Sequence, residues 1–362
     1  MSTPLIYSDS VEVVTPEEAE NVREILAMMA KTQRANSDRH RHAIRDAHAK
    51  SHAILKATVT VQERLPKRLA QGIFSEPRTY DALVRLSSAP GDIHSDEIPA
   101  PRGFATKFIG VSGDRLVPTI GGSNQDFLMV NFPALAFGTV AKYRQMLGLL
   151  EANSRAPEVF QKLVARAARV TENVVEALGG EPGATLQGVA RDNSHLLGET
   201  FHTQAAIRYG DHIAKLSLAP KSDSVRALTG NPVNIDSYST MMVVVCDFFR
   251  SNRAEYELRA QLCTDLALMP VEDAGVQWDE ALAPHEVIAT LTIPQQNASS
   301  PARRIYGDDV LSFNPWNGVQ VHRPLGSIMR IRKPAYERST AFRHAENAIA
   351  RHEPDSLSLV PD

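Results

Sequence analysis

The stretch that decides the fold is Arg332-Lys333-Pro334-Ala335-Tyr336-Glu337-Arg338-Ser339-Thr340-Ala341-Phe342-Arg343. On a helix, Arg332 and Tyr336 lie one turn apart, and Arg343 returns to nearly the same face. Pro334 is tolerated in such a helix if it lies in the first turn. One face would then carry a phenol between two guanidinium groups, and adjacent positive charge favours tyrosinate. A surface helix with a half-buried tyrosine is the alternative.

The composition is that of an ordinary globular protein. The 362 residues are 43% hydrophobic and 22% charged, and the net charge of -3 gives no reason to expect nucleic acid. No apolar run reaches the roughly 20 residues of a membrane span, and we see no signal peptide at the N-terminus. Two free thiols, Cys246 and Cys263, favour a reducing environment, so we expect a cytoplasmic protein.

Alternating apolar and polar residues, together with short apolar runs such as residues 240–249, predict a series of β-strands. The candidates are residues 54–61, 81–87, 101–108, 126–130, 201–209, 212–218, 240–249, 258–266 and 287–293. Helical patterns occupy residues 15–31 and 138–178, with a break near Pro157. This order predicts an α+β fold, in which an antiparallel β-barrel of about eight strands carries an N-terminal arm and flanking helices. We divide the chain into an N-terminal helix and arm, residues 1–52, and a barrel domain with the C-terminal helix, residues 53–362.

Residues 40–52 are rich in histidine and arginine. In a helix or turn, the three-residue spacing brings Arg45 and His48 close together. A histidine can accept a proton from one atom and return it to another near neutral pH. A solvated polar segment is the plain alternative, and His48 with His52 could form half of a zinc site.

Two later segments place polar residues on or beside strands. Alternation puts Arg85 and Ser87 on one face, and a half-buried arginine needs an anionic partner, which could be a protein carboxylate. Asn124 precedes an apolar strand, where its amide could hold a small ligand by hydrogen bonding. It could instead be a turn residue after Gly121-Gly122.

Several segments resemble those of catalases, in the same order along the chain. Residues 45–50 (RDAHAK) are similar to Arg-x-x-His-Ala-Lys-Gly, and residues 84–92 (VRLSSAPGD) to Val-Arg-Phe-Ser-Thr-x-x-Gly-Glu. Residues 101–108 (PRGFATKF) are similar to Pro-Arg-Gly-Phe-Ala-x-Lys-Phe. Residues 124–133 (NQDFLMVNFP), 313–316 (FNPW), 322–326 (HRPLG) and 332–343 also resemble catalase segments. The chain departs from the pattern at Ser51-His52, at Ser123, and at Met129, where a pocket phenylalanine is usual.

The resemblance implies a ferric haem b site, placed between the barrel and the C-terminal helix. The iron ligand would be Tyr336, and the catalytic residues would be His48 as acid and base and Asn124 as the peroxide-binding amide. The implied haem-binding residues are Arg45, Arg85, Ser87, Arg332 and Arg343. His52 is a weaker rival for the role of His48.

The implied function is that of a haem peroxidase or catalase. It would cleave the O–O bond of hydrogen peroxide or an organic peroxide, with an organic electron donor as a further small-molecule partner. Met129 and Ala47, which are smaller or more flexible than the usual family residues, favour organic peroxides. The alternatives are a hydroperoxide isomerase or lyase resembling allene oxide synthases, and a haem carrier or sensor without turnover. We expect a homo-oligomer.

Overall fold

The computed structural model describes residues 3–153 and 193–362, and its centre is an antiparallel β-sheet that closes on itself. The strands are β1 (Lys50–Val61), β2 (Thr79–Ser88), β3 (Arg102–Phe108), β4 (Gln125–Val130), β5 (Phe201–His202), β6 (Ile207–Tyr209), β7 (His212–Pro220), β8 (Ala254–Leu262) and β9 (His285–Ile293). The sheet runs from β5 through β4, β3, β2, β1, β9 and β8 to β7, and β5 closes it by pairing with β7. Because β6 continues β5 along the same edge of β7, the barrel has eight strand positions. The predicted barrel of about eight strands is confirmed.

Strand alternation fills the inside of the barrel with one apolar core. On β1, Leu55, Ala57, Val59 and Val61 all point inward and are buried. An aromatic cluster closes one part of this core, in which the rings of Phe74, Phe108, Phe127, Tyr209 and His322 contact one another. The side chains on the outer face of the barrel are therefore available to pack against a second layer.

Helices and turns form that second layer. They are α1 (Glu18–His40), α2 (Val140–Asn153), α3 (Asp223–Arg226), α4 (Thr240–Ser251), α5 (Pro301–Ile305) and α6 (Ser327–Glu346). A π-helical turn, Tyr306–Val310, follows α5 directly. Helices α1 and α2 pack against α6 and hold it beside the barrel. Within the described ranges, no helix combines the length and apolarity needed to cross a membrane.

One predicted strand is wrong, because residues 240–249 lie in α4. The run is apolar and rich in valine, which favours a strand by composition. Its buried side chains are nevertheless spaced four apart, at Met241, Val245 and Phe249, while Val243 and Asp247 are exposed. That spacing is helical, and a short apolar run does not separate a buried helix from a buried strand by composition alone.

Two helices differ from the sequence-based expectation. Helix α1 continues to His40, beyond residue 31. Pro334 lies inside α6 and not in its first turn, so the carbonyl of Arg330 loses its helical donor at that point. Helix α2 confirms the start of the predicted 138–178 segment, whereas the rest, including Pro157, lies outside the described residues. The division at residues 52 and 53 falls within β1 and remains a prediction.

The buried His322 predicts a pH dependence of stability. Its Nε2 accepts a hydrogen bond from the Ile73 amide at 3.0 Å, and burial lowers the pKa of the imidazole to about 3. In the unfolded chain the His322 imidazole has an ordinary pKa of about 6.5. As the pH falls, the unfolded chain therefore binds a proton at this residue before the folded protein does. The stabilisation from neutral His322 is fully present above the unfolded pKa of about 6.5. Below about pH 6, protonation of this histidine in the unfolded chain should lower the free energy of unfolding by up to about 1.4 kcal/mol per pH unit, until the folded pKa is reached.

We expect His322→Leu to lower the free energy of unfolding at pH 7 by about 1–3 kcal/mol, because the Ile73 amide loses its acceptor. The same variant should show a shallower fall in stability between pH 6 and pH 5. Denaturant titrations at both values measure this slope, and the exposed His352 gives the control variant His352→Leu. Equal slopes in wild type and His322→Leu would contradict the assignment.

Candidate functional site

A cavity lies between the outer face of the barrel and α6, within a space of about 800 Å³ that is open to solvent. Strands β2 to β5 form one side of it, and the segment that precedes β1 and helix α6 form the others. The predicted site residues that line it are Arg45, His48, Arg85, Ser87, Arg332, Tyr336 and Arg343. Of the residues predicted for the site, Asn124 alone does not line this cavity.

The barrel side of the cavity is formed by two cross-strand rows of side chains on strands β2 to β5. One cross-strand row pairs Ser87 with Gly103, Gly103 with Val130, and Val130 with His202. The neighbouring row, Arg85, Ala105 and Leu128, faces the same way. With strands about 4.8 Å apart, the first row extends over roughly 14 Å. We call this surface the floor, and Gly103 and Ala105 carry its smallest side chains.

His48 stands on this floor in an unusual backbone conformation. Its φ of 52° lies in the left-handed region, and its amide donates to the carbonyl of Ala89 at 2.9 Å. The ring Nδ1 lies 3.1 Å from the Ser87 hydroxyl oxygen. A Cβ on Gly103 would lie 2.5 Å from His48 Nδ1 and 2.6 Å from Ser87 Oγ. Glycine is therefore needed for the imidazole to rest against the floor.

The environment of His48 keeps the imidazole neutral. Burial, followed by the positive charges of Arg85 and Arg332, lowers the pKa of His48 to about 3. When Nδ1–H donates to Ser87, the lone pair of Nε2 is free to accept a proton. The imidazole can thus act as a base over the whole range from weakly acidic to alkaline pH.

Two arginines are held by main-chain carbonyls at the π-helical turn. Arg45 donates to the carbonyls of Asp308, Gly307 and Leu311, at 3.0, 2.8 and 2.6 Å. Arg343 donates to the carbonyls of Asp308 and Asp309, at 2.8 and 2.6 Å. Carbonyls at the C-terminal end of a helix lack helical donors and carry partial negative charge, so they attract cations.

Arg85 lies close to these two arginines. The positive charge of the three guanidinium groups exceeds the negative charge of the carboxylates beside them in the described residues. Arg85 donates to the carbonyls of His48 and Ala49, at 2.9 and 3.3 Å. Among the described residues, only Asp308 brings a carboxylate within 4.0 Å of this group, at 3.4 Å from Arg45 and from Arg85. Burial lowers the pKa of each arginine, and that of Arg343 falls to about 10.

These three guanidinium groups can therefore bind an added anion. Arg85 Nε is buried without a hydrogen-bond partner among the described residues. Buried cations need compensating charge, and bidentate pairing with carboxylates suits guanidinium groups. We use the name arginine cage for Arg45, Arg85 and Arg343 together.

Helix α6 places Tyr336 and Arg332 on the wall opposite the floor. Burial raises the pKa of Tyr336, Arg332 lowers it, and the carboxyl of Asp46 raises it. Burial outweighs the neighbouring arginine, so the phenol by itself is protonated, contrary to the sequence-based expectation. In the described part of the chain we find no hydrogen bond to the Tyr336 hydroxyl, which leaves its oxygen available to a ligand.

Two cavity residues were missed by the sequence reasoning. Asp46, between Arg45 and His48, faces the cavity, where burial raises the pKa of its carboxyl and a hydrogen bond from Ser339 opposes that rise. Gln204 lines the far end of the cavity. Asp46 could have been suspected from its position beside His48, whereas Gln204 lies in a segment that was predicted as plain strand.

Asn124 needs a correction, because the structure does not bring it to His48. Its amide donates to a carboxylate oxygen of Glu353 at 3.1 Å and to the carbonyl of Pro354 at 2.9 Å. Strand β4 reaches the cavity with its other end, at Leu128, Met129 and Val130. The prediction placed the amide at the correct strand but at the wrong end of it.

His52 also lies apart from the cavity. Its Nε2 is 2.7 Å from the hydroxyl of Ser88, and its Nδ1 is buried without a partner among the described residues. A β-bulge between Ser51 and Ala53 turns His52 away from the floor on which His48 stands. The two histidines thus have separate surroundings, which does not support the zinc alternative.

The contact between Gly103 and His48 leads to a test of the site. We expect Gly103→Ala to displace the imidazole and to lower the free energy of unfolding by about 1–3 kcal/mol, because the added methyl overpacks the floor. A crystal structure and a denaturant titration measure both effects. Gly148→Ala is the matched control, since an added Cβ at the exposed Gly148 meets nothing within 4 Å. An unmoved His48 ring in Gly103→Ala would contradict this reading.

Comparisons with known proteins bear on the fold. No family model matches the sequence, and no curated protein sequence matches it. A fungal catalase structure superposes with a TM-score of 0.58 at 16% identity, over 85% of this chain and 61% of that one. Catalase A from Saccharomyces cerevisiae gives 0.56 at 14% identity, over 88% and 67%.

A bacterial catalase gives a TM-score of 0.56 at 13% identity, over 85% of this chain and 59% of that one. The chain thus spans about three fifths of the length of the fungal and bacterial catalases. At these identities, the likeness concerns the fold. The closed barrel, the helices around it and these superpositions show that the chain has the catalase-like fold.

Proposed function

We propose that the protein is a haem peroxidase that uses a ferric haem b to reduce peroxides. The observation that carries this proposal is the cavity itself, which sets an arginine cage, a free phenol and a neutral imidazole beside the floor. A planar dianion with a metal at its centre matches these features together. The catalase-like fold is consistent with the proposal and does not by itself establish an activity.

The residues present fit haem b at each of its chemical groups. The arginine cage would pair with the two propionates by charge-assisted hydrogen bonds, and the unpartnered Arg85 Nε offers one donor. The ring would lie between the floor, on which the His48 imidazole rests, and the helix wall that carries Tyr336. Tyr336 would ligate the iron, as a tyrosine does in catalases.

When bound, the ferric haem would supply the redox centre at which a peroxide is reduced. His48 would accept the proton of the attacking peroxide oxygen at Nε2 and return it to the departing oxygen. Ser87 would hold the tautomer by accepting from Nδ1. Arg332 would stabilise the negative charge of Tyr336 once a metal has replaced its proton.

The overall reaction balances with an external reductant. One hydroperoxide takes up two electrons and two protons and yields one alcohol and one water. The electrons would come from an organic donor, or from a second hydrogen peroxide that leaves as dioxygen. The apolar lining by Leu128, Val130 and Phe313 favours organic peroxides and donors over hydrogen peroxide alone.

The first test concerns the iron ligand. We expect Tyr336→Phe to lose the charge-transfer absorption of a tyrosinate and to bind haem at least about 10-fold more weakly, because one iron ligand is missing. Absorption spectra during haem titration measure both changes. Tyr306→Phe serves as the control, since Tyr306 is also buried but does not line the cavity. An unchanged spectrum in Tyr336→Phe would rule out this ligand.

The second test concerns the base. We expect His48→Ala to slow the reaction with an alkyl hydroperoxide by about 100-fold or more while haem stays bound, since general-base catalysis contributes about 10²–10⁴-fold. Because the pKa of His48 is about 3, the wild-type rate should stay level between pH 5 and pH 8. Stopped-flow absorption measures both. A midpoint near pH 6.5, or a larger loss in His52→Ala than in His48→Ala, would disprove the assignment.

Product analysis separates the proposal from its alternatives. We expect oxidation of an aromatic donor by an alkyl hydroperoxide to exceed oxygen evolution from hydrogen peroxide. Rearrangement of a fatty-acid hydroperoxide without any donor would instead identify an isomerase. Haem binding without turnover of any peroxide would identify a carrier or sensor.

A further inference from the structure

The floor ends in a polar rim for which the proposed reaction has no use. The row from Ser87 through Gly103 and Val130 terminates at His202, on the side away from the arginine cage. Gln204, two residues further along the chain, also lines the cavity. A polar side chain at the far end of an apolar cavity is the arrangement by which ligand pockets fix orientation.

Gln204 is held in a conformation that a glutamine seldom adopts. Its φ is 61°, in the left-handed region, and its side chain is 5% exposed. The amide nitrogen donates to the carbonyl of Ala134 at 2.8 Å. Because a carbonyl only accepts hydrogen bonds, this contact identifies the atom beside Ala134 as the nitrogen Nε2 of Gln204. The other amide atom, the oxygen Oε1, receives no hydrogen bond from the described residues.

The turn that carries Gln204 is itself fixed. The amide of Thr203 donates to the carbonyl of Leu216 at 3.0 Å, and the amide of Ala205 donates to the carbonyl of Thr203 at 2.7 Å. The Thr203 hydroxyl donates to the carbonyl of Ala205 at 3.1 Å. These bonds interrupt the barrel edge between β5 and β6 and hold the intervening side chain at the cavity. An outlying backbone conformation that is fixed by its surroundings points to function.

We propose that Gln204 binds the hydroxyl group of a phenolic electron donor at this rim, an inference that rests on the proposed peroxidase function. The side-chain oxygen only accepts hydrogen bonds, so it selects a ligand with an O–H donor. Leu128 and Val130 of the floor line the space beside it and suit an apolar aromatic body. A phenol combines both properties in one small molecule, whereas an aromatic ether of the same shape lacks the donor.

The test compares two ligands that differ in this donor. Calorimetric titration of the haem-loaded protein with p-cresol and with 4-methylanisole measures the hydroxyl preference directly. We expect the wild type to bind p-cresol about 5–10-fold more tightly, as one hydrogen bond warrants. Gln204→Met should remove the preference and leave the affinity for 4-methylanisole within about 2-fold. An equal preference in both proteins, or none in the wild type, overturns the proposal.

Two further variants guard this comparison. Gln204→Asn keeps an amide that tolerates the left-handed region but is one methylene shorter, and should lose the preference as well. Gln62→Met is the matched control, since the half-buried Gln62 donates to Thr290 at 3.2 Å and does not line the cavity. It should keep the wild-type preference, and loss of the preference in this control would overturn the assignment to Gln204.

Failure of this inference differs from failure of the proposed function. In turnover, Gln204→Met should raise the KM for p-cresol about 5–10-fold and leave the haem spectrum and the peroxide step unchanged. A normal haem protein whose phenol preference ignores Gln204 would refute the inference alone. A wild type that binds no haem would refute the proposed function, and calorimetry on the same protein would still decide whether Gln204 recognises the hydroxyl.

Discussion

The guanidinium groups of Arg45 and Arg343 meet at the carbonyls of one π-helical turn, Arg85 approaches the Asp308 carboxylate of the same turn, and the geometry of the site depends on that meeting. Arg45 comes from the segment before β1, Arg85 from the barrel, and Arg343 from α6, so the turn ties three parts of the chain together. The partial negative charge of a helix end holds cations there without neutralising them. The same arrangement that organises the fold therefore leaves positive charge inside it, and a ligand with two carboxylates would complete it.

The other half of the site follows from the register of the barrel. Cross-strand pairs of β2, β3 and β4 set Ser87 beside Gly103, and a strained His48 is held against these two residues. Gly103 permits this contact, because any side chain there would occupy the place of the imidazole. Burial then favours the neutral form of His48 and the protonated form of Tyr336, so two groups on opposite walls have complementary proton chemistry.

The sequence predicted those parts that depend on local pattern. Strand alternation identified the barrel, and helical spacing placed Arg332, Tyr336 and Arg343 on one face of α6. It failed where long-range register decides. Asn124 lies just before the first residue of β4, whereas the cavity lies at the last residues of that strand. The sequence does not show this, because the pairing of β4 with β3 decides which end of the strand reaches the cavity. Residues 240–249 were assigned by composition although their buried positions repeat every four residues. Gln204 was missed because a break between two short strands leaves no local pattern.

The most direct measurement of this account compares the affinity of the apoprotein for haem b with its affinity for the haem dimethyl ester, whose propionates carry no charge. Each charge-assisted hydrogen bond in the arginine cage should contribute about 1.5–3 kcal/mol. We therefore predict that haem b binds at least about 100-fold more tightly than the ester. Equal affinities would contradict the account, because the buried positive charge of Arg45, Arg85 and Arg343 would then serve some purpose other than holding a dianionic cofactor.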